Sequence, residues 1–290
     1  MLDSIVIDLI LKFYNKDIFK NKLSVMDMGD QDLGGDFQEL KDKFEKQNIY
    51  FNEKNFSQSK NFPKRPRASS SVFWKQLGFK TTHRLDLFKL DRDKNDPGKC
   101  FVFDLNNPLL DASLINKYDL VTDFGNNEHP FNIAETYNTM HKLCKKEGLM
   151  IICQGFLNGN GFFLFDDFTI DSIAASNSYS VINSCFIIKS KELFFTLPAE
   201  KKYLKGLNLN EIDSINLFYI LRKNKDEKFR FPYQGLGKKP SKDELFSSQV
   251  LNTSTKTPEQ IYLPTHIDQI QTSKILKSFL KRILRKIGLK

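Results

Sequence analysis

Acidic and amide side chains stand where short apolar runs end. The run "LSVMDM" passes through Asp27 into Gly29, Asp30 and Gln31, and "RLDLF" carries Asp86. "VFDLN" carries Asp104 and Leu105, and "YDLVTDFG" ends in Asp123 and Gly125, followed by Asn126, Asn127, Glu128 and His129. A further run, "LMIICQG", ends in Gln154 and Gly155. In an open α/β sheet, ligands bind at the carboxyl ends of strands. A carboxylate there can accept both hydroxyls of a ribose, and a second can orient an adenine amino group or an ammonium. Acids at successive strand ends therefore point to an adenosine-type ligand. Any one of these Asp residues also admits the plainer reading of a turn residue; the ordered set favours the ligand. A phosphate would be poorly served, because GxxxxGK[ST] is absent and Asp30 and Asp32 would repel it at the first turn.

His129 is the candidate general base. An imidazole titrates near neutrality, and this one lies just past the fourth such run. Its structural alternative is a histidine that bonds the backbone at a helix start. Glu128 and His129 together could approach a metal ion, but two ligands are too few, and none is assigned. After Gly155 the stretch "GFLNGNGFFLFDDF" combines glycines with a Phe cluster. Its Asn158, Asn160 and Asp166 could meet the hydroxyls of an acceptor, and its Phe residues could wall that acceptor or pack a cap. His83, His141 and His266 have no partners in the sequence and read as structural or exposed. Trp74, the only tryptophan, reads as core.

The elements that must position these residues follow from hydrophobic periodicity. Residues 4–20 have helical spacing, residues 37–48 read as a polar helix, and "SVFWKQLG" as a short helix. Residues 130–146 read as a helix ended by Gly148. Continuous apolar strands alternating with helices predict a doubly wound, mostly parallel α/β sheet. "YSVINSCFIIK" and "SINLFYILRK" close it as an antiparallel pair, the last strand antiparallel, with the charged "PAEKKYLKGLNLNE" between them. One domain is expected over 1–232, a polar extension or linker over 233–268, and a separate segment over 269–290.

That last segment holds most of the chain's basicity. The net charge is +9, and Lys274, Lys277, Lys281, Arg282, Arg285, Lys286 and Lys290 stand there without an acid. The body is close to neutral, so a nucleic-acid groove across it is not indicated. Ile275, Leu276, Phe279, Leu280, Ile283, Leu284 and Ile287 recur at helical spacing, which predicts a basic amphipathic C-terminal helix. It reads either as an anchor on an anionic membrane surface or as a helix docked on the body. No signal peptide and no spanning run is apparent, and the four cysteines lack metal spacing. A cytoplasmic protein with reduced thiols is expected, at most peripheral on the inner face of the cytoplasmic membrane.

The order of elements and the block "YDLVTDFGNNEHPFNIAETYNTMHKLCKKEGLMII" resemble class I S-adenosylmethionine-dependent methyltransferases. "GDQD", "LGFKTTHRLDL", "FDLNNPL", "EHPFN" and "GNGFFLFDDF" resemble, within them, bacterial methyltransferase-like proteins of surface-polysaccharide gene clusters. The resemblance covers roughly residues 20–190 and implies a Rossmann-like fold. It also implies S-adenosylmethionine as cofactor, and methyl transfer to a hydroxyl or amine of a sugar, glycan or glycolipid precursor. Asp27, Gly29 and Gln31 would then line its methionine and ribose part, and Asp86 would hold the ribose hydroxyls. Asp104 and Leu105 would flank the adenine, with Asp123 and Gly125 at the methionine end. The first motif departs from the family's GxGxG at Gln31 and Leu33. That departure keeps open a second reading, a non-catalytic methyltransferase-like scaffold or binding protein in glycan assembly.

Overall fold

Alternation along the strands builds two cores from one sheet. In β1 (Ser24–Met28) Met26 and Met28 face one side, while Val25 packs on the other. β4 (Tyr118–Phe124) and β5 (Cys144–Leu157) repeat the pattern: Leu120, Leu149 and Ile151 lie on one face, and Val121, Met150 and Ile152 on the other. α1 (Ser4–Tyr14), α2 (Phe37–Lys46) and α3 (Ser70–Gln76) cover the first face. α4 (Ile133–Leu143) and α5 (Asp167–Ser176) cover the second. The computed structural model describes residues 1–232 except 65, 91, 93–95 and 192. The extension 233–268 and the C-terminal helix 269–290 expected above lie outside the described residues.

β1 is flanked by β2 (Thr81–Asp86) and β4, both parallel to it, with β3 (Lys99–Val102) beyond β2 and β5 beyond β4. β8 (Ser214–Arg222) inserts antiparallel between β5 and β6 (Ser180–Ser190), and β7 (Leu193–Pro198) pairs antiparallel on the outside of β6. The order is β3-β2-β1-β4-β5-β8-β6-β7. This is the doubly wound, mostly parallel Rossmann-like arrangement expected, closed by an antiparallel last strand. The chain leaves β1 toward β2 and later returns to β4 on its other side. The gap between the carboxyl ends of β1 and β4 is thus the topological switch point.

Some boundaries differ from the sequence expectation. The first helix stops at Tyr14 rather than at residue 20, because Asp17 (φ 58°) and Asn21 (φ 63°) turn the chain through left-handed backbone. The helix expected over 130–146 ends at Leu143, and β5 starts at Cys144. Gly148 therefore stops no helix. It lies within β5, where a Cβ would stand 2.7 Å from both Cys144 Sγ and Lys145 O. α5 was not expected; Asp166 caps it by accepting from Thr169 N at 2.9 Å, and Ile170, Ile173 and Ala174 form its buried stripe. β7 was also not expected, since its "LFFTLP" lies between charged stretches. Among the described residues no helix is long and apolar enough to cross a membrane. The cysteines are free; Cys144, Cys153 and Cys185 are buried.

Candidate functional site

The first turn is built by side chains at the two positions, Gln31 and Leu33, where a GxGxG turn carries glycines. Gly29 has φ 96°, and a Cβ on it would stand 2.7 Å from Gln31 Nε2 and 2.9 Å from Asn126 Oδ1. The turns after β1 and β4 therefore meet over Gly29, and only glycine fits there. Gln31 is buried, its amide donating to Met28 O at 3.4 Å. Leu33 belongs to the core beneath the first helices, donating its N–H to Ala68 O at 2.8 Å.

Asp30 and Asp32 do not offer free negative charge. Asp30 Oδ1 lies 2.7 Å from Arg92 Nη2 and 3.1 Å from Arg84 Nε. Asp32 lies 2.5 Å from Arg92 Nη1 and 2.6 Å from Arg67 Nη2. Arg84 also holds Asp96 at 2.6 Å. Three arginines thus face three aspartates, all buried or nearly so. The expectation that Asp30 and Asp32 repel a phosphate is corrected, because their charge is compensated inside the protein. The sequence signal for this was Arg84, a charge inside a strand; Arg67 and Arg92, in turns, gave none.

Asp27 lies on the face of β1 that packs against α3. Its carboxylate accepts from Ser70 Oγ at 2.5 Å, from Trp74 Nε1 at 3.0 Å and from Thr122 Oγ1. Burial raises its pKa to about 6, against the pull of those donors. It braces the first turn from below and is 1% exposed. Trp74 is a core residue, as expected, and also one of the donors to Asp27.

The neighbouring strand ends carry the other expected residues. Asp86 accepts from Asp30 N at 2.6 Å through one oxygen and from Phe88 N at 3.0 Å through the other, so it ties the first turn to the second. Each oxygen keeps a further lone pair, and the residue is half-buried. Asp104 accepts from Asn106 N at 2.9 Å and Asn107 Nδ2 at 3.1 Å, and the bonds to Asn106 hold its carboxyl below the usual range. Leu105 is buried in the second core.

At the end of β4 two carboxylates are buried together. Asp123 accepts from Asn126 N at 2.9 Å, Asn127 N at 3.2 Å and Gln154 Nε2. Burial, with Glu128 close by, raises its pKa to about 7. Gly125 (φ 72°) makes the turn and donates to Cys153 O at 2.8 Å. Glu128 is 5% exposed, accepts from Gly155 N at 3.2 Å, and places Oε1 3.8 Å from His129 Nε2. Among the described residues neither Asp123 nor Glu128 is paired with a lysine or arginine. His129 has its side chain half exposed beside them. Also among the described residues, no group of three or more His, Cys, Asp or Glu side chains could hold a metal ion.

The loop after β5 folds back on Glu128. Phe162 N and Phe163 N donate to Glu128 O at 2.7 and 3.3 Å, and a Cβ on Gly161 would stand 2.4 Å from that oxygen. Of the three polar residues expected at an acceptor, Asn160 is exposed. Asn158 donates to Asp213 O at 2.8 Å, and Asp166, besides capping α5, pairs with Lys201 at 3.0 Å. Asn158 and Asp166 therefore already have structural partners.

No family model matches the sequence, and no curated protein matches it. Solved structures do. One is the Burkholderia thailandensis 1,6-didemethyltoxoflavin-N1-methyltransferase with bound 1,6-didemethyltoxoflavin and S-adenosylhomocysteine. It is 10% identical, with TM-score 0.41, over 74% of this chain and 78% of that one. A TehB-like SAM-dependent methyltransferase of Corynebacterium glutamicum is 14% identical, with TM-score 0.40, over 72% of this chain and 87% of that one. TehB of Haemophilus influenzae is 10% identical, with TM-score 0.41, over 74% of this chain and 62% of that one. At these scores the likenesses carry no inference about activity; the strand order and the switch at β1 establish the α/β arrangement on their own.

Proposed function

We propose that the chain is an S-adenosylmethionine-dependent methyltransferase whose cofactor lies across the carboxyl ends of β1, β2 and β4. One observation carries this reading. Asp123 and Glu128 are buried carboxylates at the switch point with no lysine or arginine partner among the described residues, while Asp30 and Asp32 of the first turn each have two. Burying anionic charge unpaired is costly, and a ligand bearing an ammonium and a sulfonium would relieve that cost. Asp86 has lone pairs free for ribose hydroxyls, Gln31 and Asn126 offer amides over Gly29, and Asp104 with Leu105 borders the adenine side. Asp27 and Gly125 shape the two turns. When bound, the cofactor supplies the methyl group, its S–C bond breaking as the acceptor's O–C or N–C bond forms while sulfur keeps the electron pair. His129 takes the acceptor proton, with Glu128 orienting the imidazole.

The acceptor is proposed to be a hydroxyl or amine compound, with sugar, glycan and glycolipid precursors entering through the resemblance to surface-polysaccharide proteins. Asn160 is the polar loop residue left to serve them. We assign 1–232 to the catalytic domain, 233–268 to a linker, and 269–290 to an anchor on the anionic inner face of the membrane. Deleting 269–290 should abolish co-sedimentation with anionic liposomes; equal sedimentation without it removes the anchor.

S-adenosylhomocysteine should stabilise the full chain against heat, by about 2.7 kcal/mol at a hundredfold excess over its Kd. No stabilisation at high ligand concentration would favour the second reading, a non-catalytic scaffold. The Gln31 amide packed over Gly29 is the observation on its side.

A further inference from the structure

The loop that folds onto Glu128 leaves large rings in solvent. Phe131 is 74% exposed and Phe162 73%, with Leu164 and Phe168 also exposed. Phe131, two residues beyond His129, meets Phe162 edge to face with centroids 5.9 Å apart, and Phe163 at 6.0 Å. Because Phe162 N and Phe163 N both bond Glu128 O, these rings are fixed to the residue that precedes the candidate base. Scattered exposed apolar side chains are ordinary on any protein. Rings that pair with one another, stay open, and stand on the backbone of the reacting turn form a wall for a ligand.

The charges around the wall narrow that ligand. Lys201, which reaches the far end of the loop, is paired with Asp166 at 3.0 Å and lies 4.0 Å from Asp167. Glu128 stands at the near end. An anionic acceptor would meet a carboxylate and no free cation among these residues. A flat ring can take an offset or edge-to-face place against both Phe131 and Phe162, matching their quadrupoles; an alkyl chain or a polyol has no such match.

We infer that the acceptor is a small, uncharged aromatic compound that stacks on Phe131 and Phe162 with its hydroxyl or amine toward His129. This rests on the methyltransferase reading and sets an aromatic hydroxyl or amine against the sugar-type precursors that enter only through the resemblance. The test uses the full chain, titrated calorimetrically with S-adenosylhomocysteine and then, with that ligand bound, with naphthol, methyl glucoside and octanol as separate probes. Naphthol should bind most tightly. The double variant Phe131→Ser, Phe162→Ser should weaken it about tenfold while leaving S-adenosylhomocysteine affinity unchanged. Equal naphthol binding by the variant, or tighter binding of glucoside or octanol, overturns the aromatic assignment alone. A dimer that the double variant dissociates in sedimentation would give the wall to a second copy instead. Failure of the wild type to bind S-adenosylhomocysteine overturns the methyltransferase reading, and the acceptor assignment with it.

Discussion

Arg92 Nη2 lies 2.7 Å from Asp30 Oδ1 while its Nη1 lies 2.5 Å from Asp32 Oδ1, so one guanidinium spans both acids of the turn after β1. The same group donates to the main-chain oxygens of Asp30 and Arg67, at 3.0 and 3.3 Å. A turn that would ordinarily owe its shape to repeated glycines owes it here to a planar, multidentate cation.

Replacing Arg92 by Met leaves two buried aspartates short of a partner. Arg84 and Arg67 remain, so the loss is smaller than for an isolated pair: about 2–3 kcal/mol in a denaturant titration. Arg92→Lys keeps the charge and loses the fork, and should fall between. A stability for Arg92→Met equal to wild type would mean that the clamp does not hold the turn.

Asp123 gives the site a pH signature. Its folded pKa, about 7, lies above that of an unfolded aspartate near 3.8. The folded state thus binds the extra proton between those values, and stability contributed by the protonated form falls as pH rises from about 4 to about 7. Asp123→Asn should flatten that part of the stability profile. The ammonium of S-adenosylhomocysteine prefers the ionised carboxylate, so its affinity for the wild type should rise as pH increases through about 7 and should not do so in Asp123→Asn. Calorimetric titrations from pH 5.5 to about 8.5 would show the difference, and parallel profiles would dissociate Asp123 from the ligand.

Trp74→Phe removes the indole N–H from Asp27 but leaves Ser70 and Thr122 in place. The cost should be about 1–3 kcal/mol. It should also depend on pH. Asp27 ionises near pH 6, and the lost donor favoured the ionised form, so the deficit should be larger at pH 8 than at pH 5. Thermal melts at both values test this; a deficit independent of pH would make Trp74 a packing residue only.

The centre of the fold was legible because β1, β4 and β5 are apolar runs with alternating faces, and the switch point followed from their order; β7 was hidden between charged stretches. The strand-end positions were legible too, but not the direction of each side chain. Asp27 and Asp30 are close in sequence, yet Asp27 faces α3 and Asp30 faces the arginine cluster. Partners as distant as Ser70, Trp74 and Arg92 are contributed by loops and helices that periodicity does not register against β1. α5 was hidden because its capping residue, Asp166, ends a stretch whose glycines and phenylalanines read as one loop. In the same way Asn158 and Asp166 looked free for a ligand, although the backbone of Asp213 and Thr169 already engages them.

Gly161 tests whether the loop after β5 must lie on Glu128. A Cβ there would stand 2.4 Å from Glu128 O and 2.6 Å from Glu128 Cβ and Cγ, and the Glu128 main chain is held by the hydrogen bonds of Phe162 and Phe163. Gly161 is absent from the residues with positive φ, so Gly161→Ala acts through this contact and not through backbone strain. The loop should lift from Glu128, at about 1–3 kcal/mol, breaking the Phe162 bond and freeing the chain between Gly159 and Phe165. Limited proteolysis should then cut within 157–165 faster than in the wild type, and Gly155 N, which donates to the Glu128 carboxylate at 3.2 Å, should exchange its hydrogen sooner. Because Asp86, Asp123 and Gln31, which we propose face the cofactor, lie outside the loop after β5, S-adenosylhomocysteine affinity should change less than naphthol affinity. Unchanged proteolysis and exchange in Gly161→Ala would mean that the loop accommodates the methyl group without leaving Glu128.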